Sequence, residues 1–142
     1  MLRRLPLLAL PVMAMVATSG TAQSGANIAG RWRTDDGNAI IQVAPCAANA
    51  RQMCGRIVQM TNPALARATD SNNPNEALRT RPLVGVPVLT NLTPSGQRFT
   101  GSGYSPEEGR NFNATVHVEG GRLNIRGCVS IFCRTVVWSR AQ

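Results

Sequence analysis

NFNATVHVEGGRLNIRGC, residues 111–128, alternates residue by residue. Phe112, Ala114, Val116 and Val118 share one face; Asn113, Thr115, His117 and Glu119 share the other. A period of two belongs to a strand with one dry and one wet side. Gly120 and Gly121 supply the positive backbone angles of a tight hairpin, and Leu123 and Ile125 continue the inward set on the way back. The stretch is therefore an antiparallel hairpin whose apolar face needs other strands to cover it.

The rest of the chain supplies them. GRWRT (30–34) runs through the turn DDGN into AIIQVA (39–44). GRIVQM (55–60), LVGVPVLTNL (83–92), QRFTGSGY (97–104) and CRTVVWSRA (133–141) complete eight strands. Short turns between neighbours imply antiparallel pairing. Eight strands can close and so remove exposed edges. The expected fold is all-β, an antiparallel eight-stranded up-and-down barrel; an open two-sheet sandwich is the alternative. A barrel of this size either fills with side chains or holds one small ligand. Pro87 marks an edge or a bulge. Gly101 and Gly103 signal bending or the close approach of another backbone.

Residues 61–82, TNPALARATDSNNPNEALRTRP, break the pattern between strands three and four. Two short helices are predicted. Asn62 caps the first ahead of Pro63; Asn73 caps the second, with Pro74 first and Glu76 third. An excursion this long in a compact domain is usually functional or disordered, and the caps argue for order.

The chain opens with Arg3 and Arg4, an apolar run from Leu5 to Val16, and small residues from Thr18 to Ala22. That is the pattern of a secretory leader (1–22), cleaved after Ala22 or alternatively Ala26, ahead of a single barrel domain (23–142). Its apolar core is too short to span a bilayer, so an integral membrane protein is not expected. The expected location is the periplasm or the exterior. Removing Arg3 and Arg4 from the 15 basic residues leaves 13 against 7 acidic, a net of +6, and every one is Arg. That charge favours anionic partners. The arginines form no run and no aromatics interleave them, so nucleic acid is not an expected partner.

Export puts Cys46, Cys54, Cys128 and Cys133 in an oxidising compartment, where disulfides persist. Four cysteines allow three pairings, and sequence alone does not choose. Local pairing, Cys46 with Cys54 and Cys128 with Cys133, is the simplest, each bridge contributing about 2–3 kcal/mol. Seven residues between Cys46 and Cys54 fit a structural zinc site poorly, and a redox C-x-x-C is absent.

Trp32 lies in the first strand, and Arg140 lies in the last, in phase with Val136 and Trp138. At the closure a guanidinium over the indole is a structural latch. The G-x-W of residues 30–32 resembles the lipocalin signature. Wider motifs agree: GRWRT-x-DG, CGRIV, NNPNEALRTRPLVG, GYSPEEGR, then RGC and CRT-x-x-WSR. Together they resemble the bacterial domain-of-unknown-function family 2147 from about Gly30 to Arg140. The resemblance implies a small exported protein with a lipocalin-like barrel and, with it, ligand binding inside. The chain departs from the family where Ser105 replaces an Asp before the turn Pro, where Arg110 and Phe112 replace Lys and Tyr, and at Gln59.

Arg79 and Arg81, two apart on a segment read as extended, would point the same way and grip a carboxylate or phosphate. The alternative is that they tie the excursion down through Glu76, Asp70 or a carbonyl. Tyr104 and Arg110 flank the SPEEG turn as a polar rim, with Phe112 facing inward beside them. Glu107 and Glu108 are read as solvated, and so is His117. Asp70, Asn72 and Asn73 resemble the start of a calcium loop but lack its Gly and terminal Glu. No catalytic residue, cofactor or metal is assigned.

Three functions follow, in order. The first is a binding module for a small apolar or amphipathic molecule, with Arg79, Arg81, Tyr104, Arg110 and Phe112 contacting it. The second is an interaction protein with a filled barrel, touching an anionic envelope surface or a protein partner. The third is a hydrolase of envelope esters or glycans.

Overall fold

A computed structural model describes residues 11–17 and 27–142. The expected leader and its cleavage points fall largely outside these. Eight strands run in order: β1 Gly30–Arg33, β2 Ala39–Pro45, β3 Met53–Met60, β4 Pro87–Ser95, β5 Arg98–Ser105, β6 Arg110–Glu119, β7 Arg122–Val129 and β8 Phe132–Arg140. Each pairs antiparallel with the next, and β8 returns to β1 to close the barrel. The excursion joins β3 to β4 and contains two 3₁₀ turns, Pro63–Leu65 and Glu76–Leu78.

The alternation in 111–128 is realised as expected. Ala114 and Val116 on β6 and Leu123 and Ile125 on β7 are buried in the interior. Val116 sits opposite Ile125, and Val118 opposite Leu123. The fourth strand differs from its expected span, since its ladder starts at Pro87 rather than residue 83. The closed wall leaves no edge for Pro87, and of the two expected roles the bulge is the one found. The register with β3 slips between Gly55–Leu89 and Arg56–Pro87. Pairing then continues through Gly85 and Val86, which bond to Ile57 in place of the N–H that proline lacks.

The second helix cap also differs. Asn75, not Asn73, caps the turn at Glu76, and Asn73 instead accepts the Asn75 amide on its side chain. Asparagine favours this short-range bond to a backbone two residues on. It frees the Asn73 amide group to donate elsewhere.

The two ends of the barrel are unlike. At one end lie the β2–β3, β4–β5 and β6–β7 connections and the approach to β1, residues 27–29. There Val43, Leu92, Val116 and Leu123 have no exposed surface, and Trp32 is fully buried among them. The Trp32 Nε1–H donates to the Ile28 carbonyl at 2.9 Å. Arg140 lies 4.0 Å from the centre of the indole, the expected latch. Its guanidinium also donates to the Ala29 carbonyl at 2.8 Å. Gly30 permits this, having a φ of 127° and no Cβ to meet the guanidinium 2.5 Å away. Both local disulfides are present. Cys46–Cys54 ties the connection at this closed end, and Cys128–Cys133 joins facing residues of β7 and β8 near the other end.

Candidate functional site: an open barrel mouth

The opposite end carries the β1–β2, β5–β6 and β7–β8 turns and the whole excursion. The excursion is fastened across this mouth at three places. Thr61 bonds to the β1–β2 turn through the Asn38 carbonyl, at 2.8 Å, and through the Gly37 carbonyl. The Asn72 amide donates to the Glu107 carbonyl in the β5–β6 turn at 2.9 Å. That contact is tight enough that a Cβ on Gly109, whose φ is +60°, would overlap the Asn72 carbonyl.

The third fastening is a buried knot around Asp70. This carboxylate has no exposed surface. It accepts from the Tyr104 hydroxyl at 2.5 Å, from the Asn73 amide at 2.8 Å, and from Arg81 at 2.9 and 2.8 Å. Burial alone would raise the Asp70 pKa. The bonds from Tyr104, Asn73 and Arg81, with the Arg81 charge, outweigh it and hold the carboxyl below its ordinary value. Tyr104 shifts the other way: burial, then its bond to Asp70 and that residue's charge, push it up to about 12.

Inside this collar a cavity of about 1020 Å³ opens to solvent at the mouth, its lining joining apolar side chains, Ile41, Ile57, Leu89, Phe112, Ile125 and Trp138, to polar ones of the mouth turns such as Asn38, Asn72, Glu108 and Arg134. Two glycines shape it. The Phe112 ring lies over Gly103 and Gly127, where added Cβ atoms would fall 2.1 and 2.8 Å from ring carbons. The close approach at Gly103 is thus to an aromatic side chain rather than to the backbone expected there. At Gly101 it is to backbone, the Asn91 and Thr90 carbonyls. A smaller groove of about 340 Å³ lies where the excursion meets the wall, lined by Asn75, Arg81, Thr90, Ser102, Tyr104 and Asn111.

The expected site residues divide accordingly. Phe112, Tyr104 and Arg110 line the cavity. Arg79 and Arg81 do not, and they do not form an outward pair. Arg79 is helical rather than extended, so the i, i+2 geometry fails. Its Nε–H donates to the Asn73 carbonyl at 2.7 Å, and an Nη reaches Glu76 at 3.5 Å. Arg81 is committed to Asp70. The sequence offers Asp70 as one tie for the arginines and as the start of an incomplete calcium loop. Its central place depends on Tyr104, 34 residues away, and no local pattern shows that.

Six of the seven carboxylates, Asp35, Asp36, Asp70, Glu76, Glu107 and Glu108, belong to the connections at the mouth, interleaved there with Arg67, Arg79, Arg81, Arg110 and Arg134, whereas Arg51, Arg98 and Arg122 lie at the closed end. Asp36 is used locally: it accepts from Thr34 at 2.6 Å and the Asn38 N–H at 2.9 Å. Burial opposes its ionisation, but these bonds keep its pKa low. Glu108 accepts from Arg134 at 2.9 Å, a pair not foreseen. His117 is only partly exposed and contacts Arg98 and Glu119 at 2.9 and 3.3 Å. Among the described residues, no group of three or more His, Cys, Asp or Glu gathers as a metal site. No helix among them is long and apolar enough to cross a membrane.

Fold and mouth together define a class: a small closed antiparallel barrel, sealed by a Trp–Arg latch at one end and carrying a cavity at the mouth of the other. Over residues 30–140 the sequence matches the family described as "Uncharacterized protein conserved in bacteria" (DUF2147), and the chain belongs to that family. No curated protein and no solved structure matches it significantly. A bacterial family with two disulfides in the barrel is compatible with an oxidising location.

Proposed function

We propose that the protein is an exported binding protein, periplasmic or secreted, that holds one small apolar or amphipathic molecule in the lumen. The observation that carries this is the cavity at the mouth, at the upper end of the size range of small-molecule pockets. The wall supplies Phe112 and Ile125 for the apolar part. Arg110, Tyr104 and Arg134 stand nearest for a polar end. Arg79 and Arg81 act one step back, by holding the collar in place. The apolar start of the sequence and the paired cysteines support export.

Titration with N-phenylnaphthylamine, a dye that brightens in apolar surroundings, tests this reading. The wild type should give saturable, one-to-one brightening. Val136→Trp, which fills the lumen from β8, should abolish it with the strand signal in circular dichroism unchanged. Equal brightening by both proteins contradicts the reading.

A second reading rests on the arginines at the closed end. Exposed Arg51, Arg98 and Arg122 suit an anionic surface or partner, and binding there should weaken with salt. Hydrolysis receives no support from Asp36, which is turned into its own hairpin, or from Glu108, which is bonded to Arg134.

A further inference from the structure

The β7–β8 turn breaks the ordinary rule for a solvent-facing loop. Its tip is apolar: Ile131 is 84% and Phe132 77% exposed, the largest exposures of any large apolar side chain among residues 27–142. The turn is stapled at its base. Cys128 and Cys133 are bonded directly beneath it. Ser130 makes the corner with a φ of 55°, which few residues other than glycine adopt. The chain thus holds two large apolar groups out in water on a stapled hairpin.

The tip also belongs to the mouth. Val129 and Phe132 line the same cavity as Val136 and Trp138, so an apolar track runs from the tip down into the lumen. The rim beside it carries both signs, Arg110 and Arg134 with Glu107 and Glu108.

We infer that the Ile131–Phe132 tip is a lipid-contacting element that docks the open mouth on a phospholipid layer with zwitterionic headgroups. Two features select this occupant. The first is area. Two such side chains present roughly 300 Å², whereas a stable protein interface takes about 800 Å² from each partner. A lipid layer sets no such minimum, because each inserted side chain partitions by itself. The second is charge. Headgroups carrying phosphate and ammonium match a rim of arginines and carboxylates. Wholly anionic headgroups would leave Glu107 and Glu108 unmatched at the rim and would draw the arginines at the closed end instead. Docking by the tip is therefore insensitive to salt, which separates it from the basic-surface reading. It does not require an occupied lumen, so it can fail without the binding proposal failing, and the reverse.

Flotation with vesicles of phosphatidylcholine and phosphatidylethanolamine tests it, using protein recovered from the bacterial envelope. The wild type should float with the vesicles at low and at high salt. Ile131→Ser with Phe132→Ser should cut partitioning at least tenfold while leaving the melting temperature unchanged; each buried side chain contributes about tenfold or more. A second variant, Phe132→Trp, should shift its fluorescence to the blue on adding vesicles. Equal flotation by the wild type and the double variant overturns the inference. So does no flotation by the wild type, or a concentration-dependent dimer that the double substitution abolishes.

Discussion

The two ends of this barrel are made from the same strands and solve opposite problems. At the closed end Trp32 fills the lumen and Ile28 caps it, with Arg140 folded over the indole. At the mouth two glycines let the Phe112 ring lie against the wall rather than across the lumen. One end spends Trp32 on packing; the other holds Phe112 aside. The fastenings differ as well. The closed end is tied by neighbours in sequence and by the first and last strands. The mouth is tied by an excursion whose anchor, Asp70, is buried and charged.

Substitutions should report that difference. Trp32→Ala removes a fully packed aromatic with its hydrogen bond and its stacked guanidinium, and should cost about 3–5 kcal/mol in denaturant unfolding. Phe112→Ala, at a partly buried site on the cavity wall, should cost clearly less than this. Similar losses from the two would erase the distinction between a filled and a hollow end.

Asp70→Ala comes next. It strands Arg81, Asn73 and the Tyr104 hydroxyl, and should cost about 3 kcal/mol. Proteolysis should then cut first within residues 61–86. The same knot sets the pH dependence. The folded pKa of Asp70 is below its unfolded value. Its contribution is therefore present above the unfolded pKa, near 3.8, and is lost as pH falls through the lower folded value. Tyr104 is raised from 10.0 to about 12. Its contribution is intact below pH 10 and is lost as pH climbs toward 12. Denaturant midpoints measured across pH should decline at both extremes. In Asp70→Asn the acid decline attributable to this carboxylate should disappear.

Gly103→Ala is the smaller and more pointed test. Its new methyl occupies the place of the Phe112 ring and drives the ring into the lumen. The expected cost is about 1–2 kcal/mol, with dye capacity falling more than stability does. Restored dye binding in Gly103→Ala with Phe112→Ala would tie the loss to the ring.

Where the sequence was informative, the signal was local. Alternation in 111–128, the Gly120–Gly121 turn and the DDGN hairpin each depend on residues within reach of one another along the chain. The latch between Trp32 and Arg140 could be read because closure of an eight-stranded ring brings the first and last strands together. Asn62 was legible as a cap because its bond to the Ala64 amide spans two residues. The misreadings share the opposite property. Asn73 looks like a cap until the Asp70 carboxylate, placed by Tyr104 and Arg81, competes for its amide group. Arg79 and Arg81 look like a matched pair only on an extended backbone. Nothing in the strand pattern distinguishes a filled barrel from a hollow one, because that depends on which side chains meet from eight strands and on the absence of Cβ atoms at Gly103 and Gly127.

The central claim is that the lumen holds a molecule. Native mass spectrometry tests it most directly, on protein released from the periplasm without detergent and compared with the same sample denatured. The account predicts a reproducible extra mass that vanishes on denaturation and is missing from Val136→Trp. The bare mass alone, in a protein that also fails to take up the dye, would contradict it.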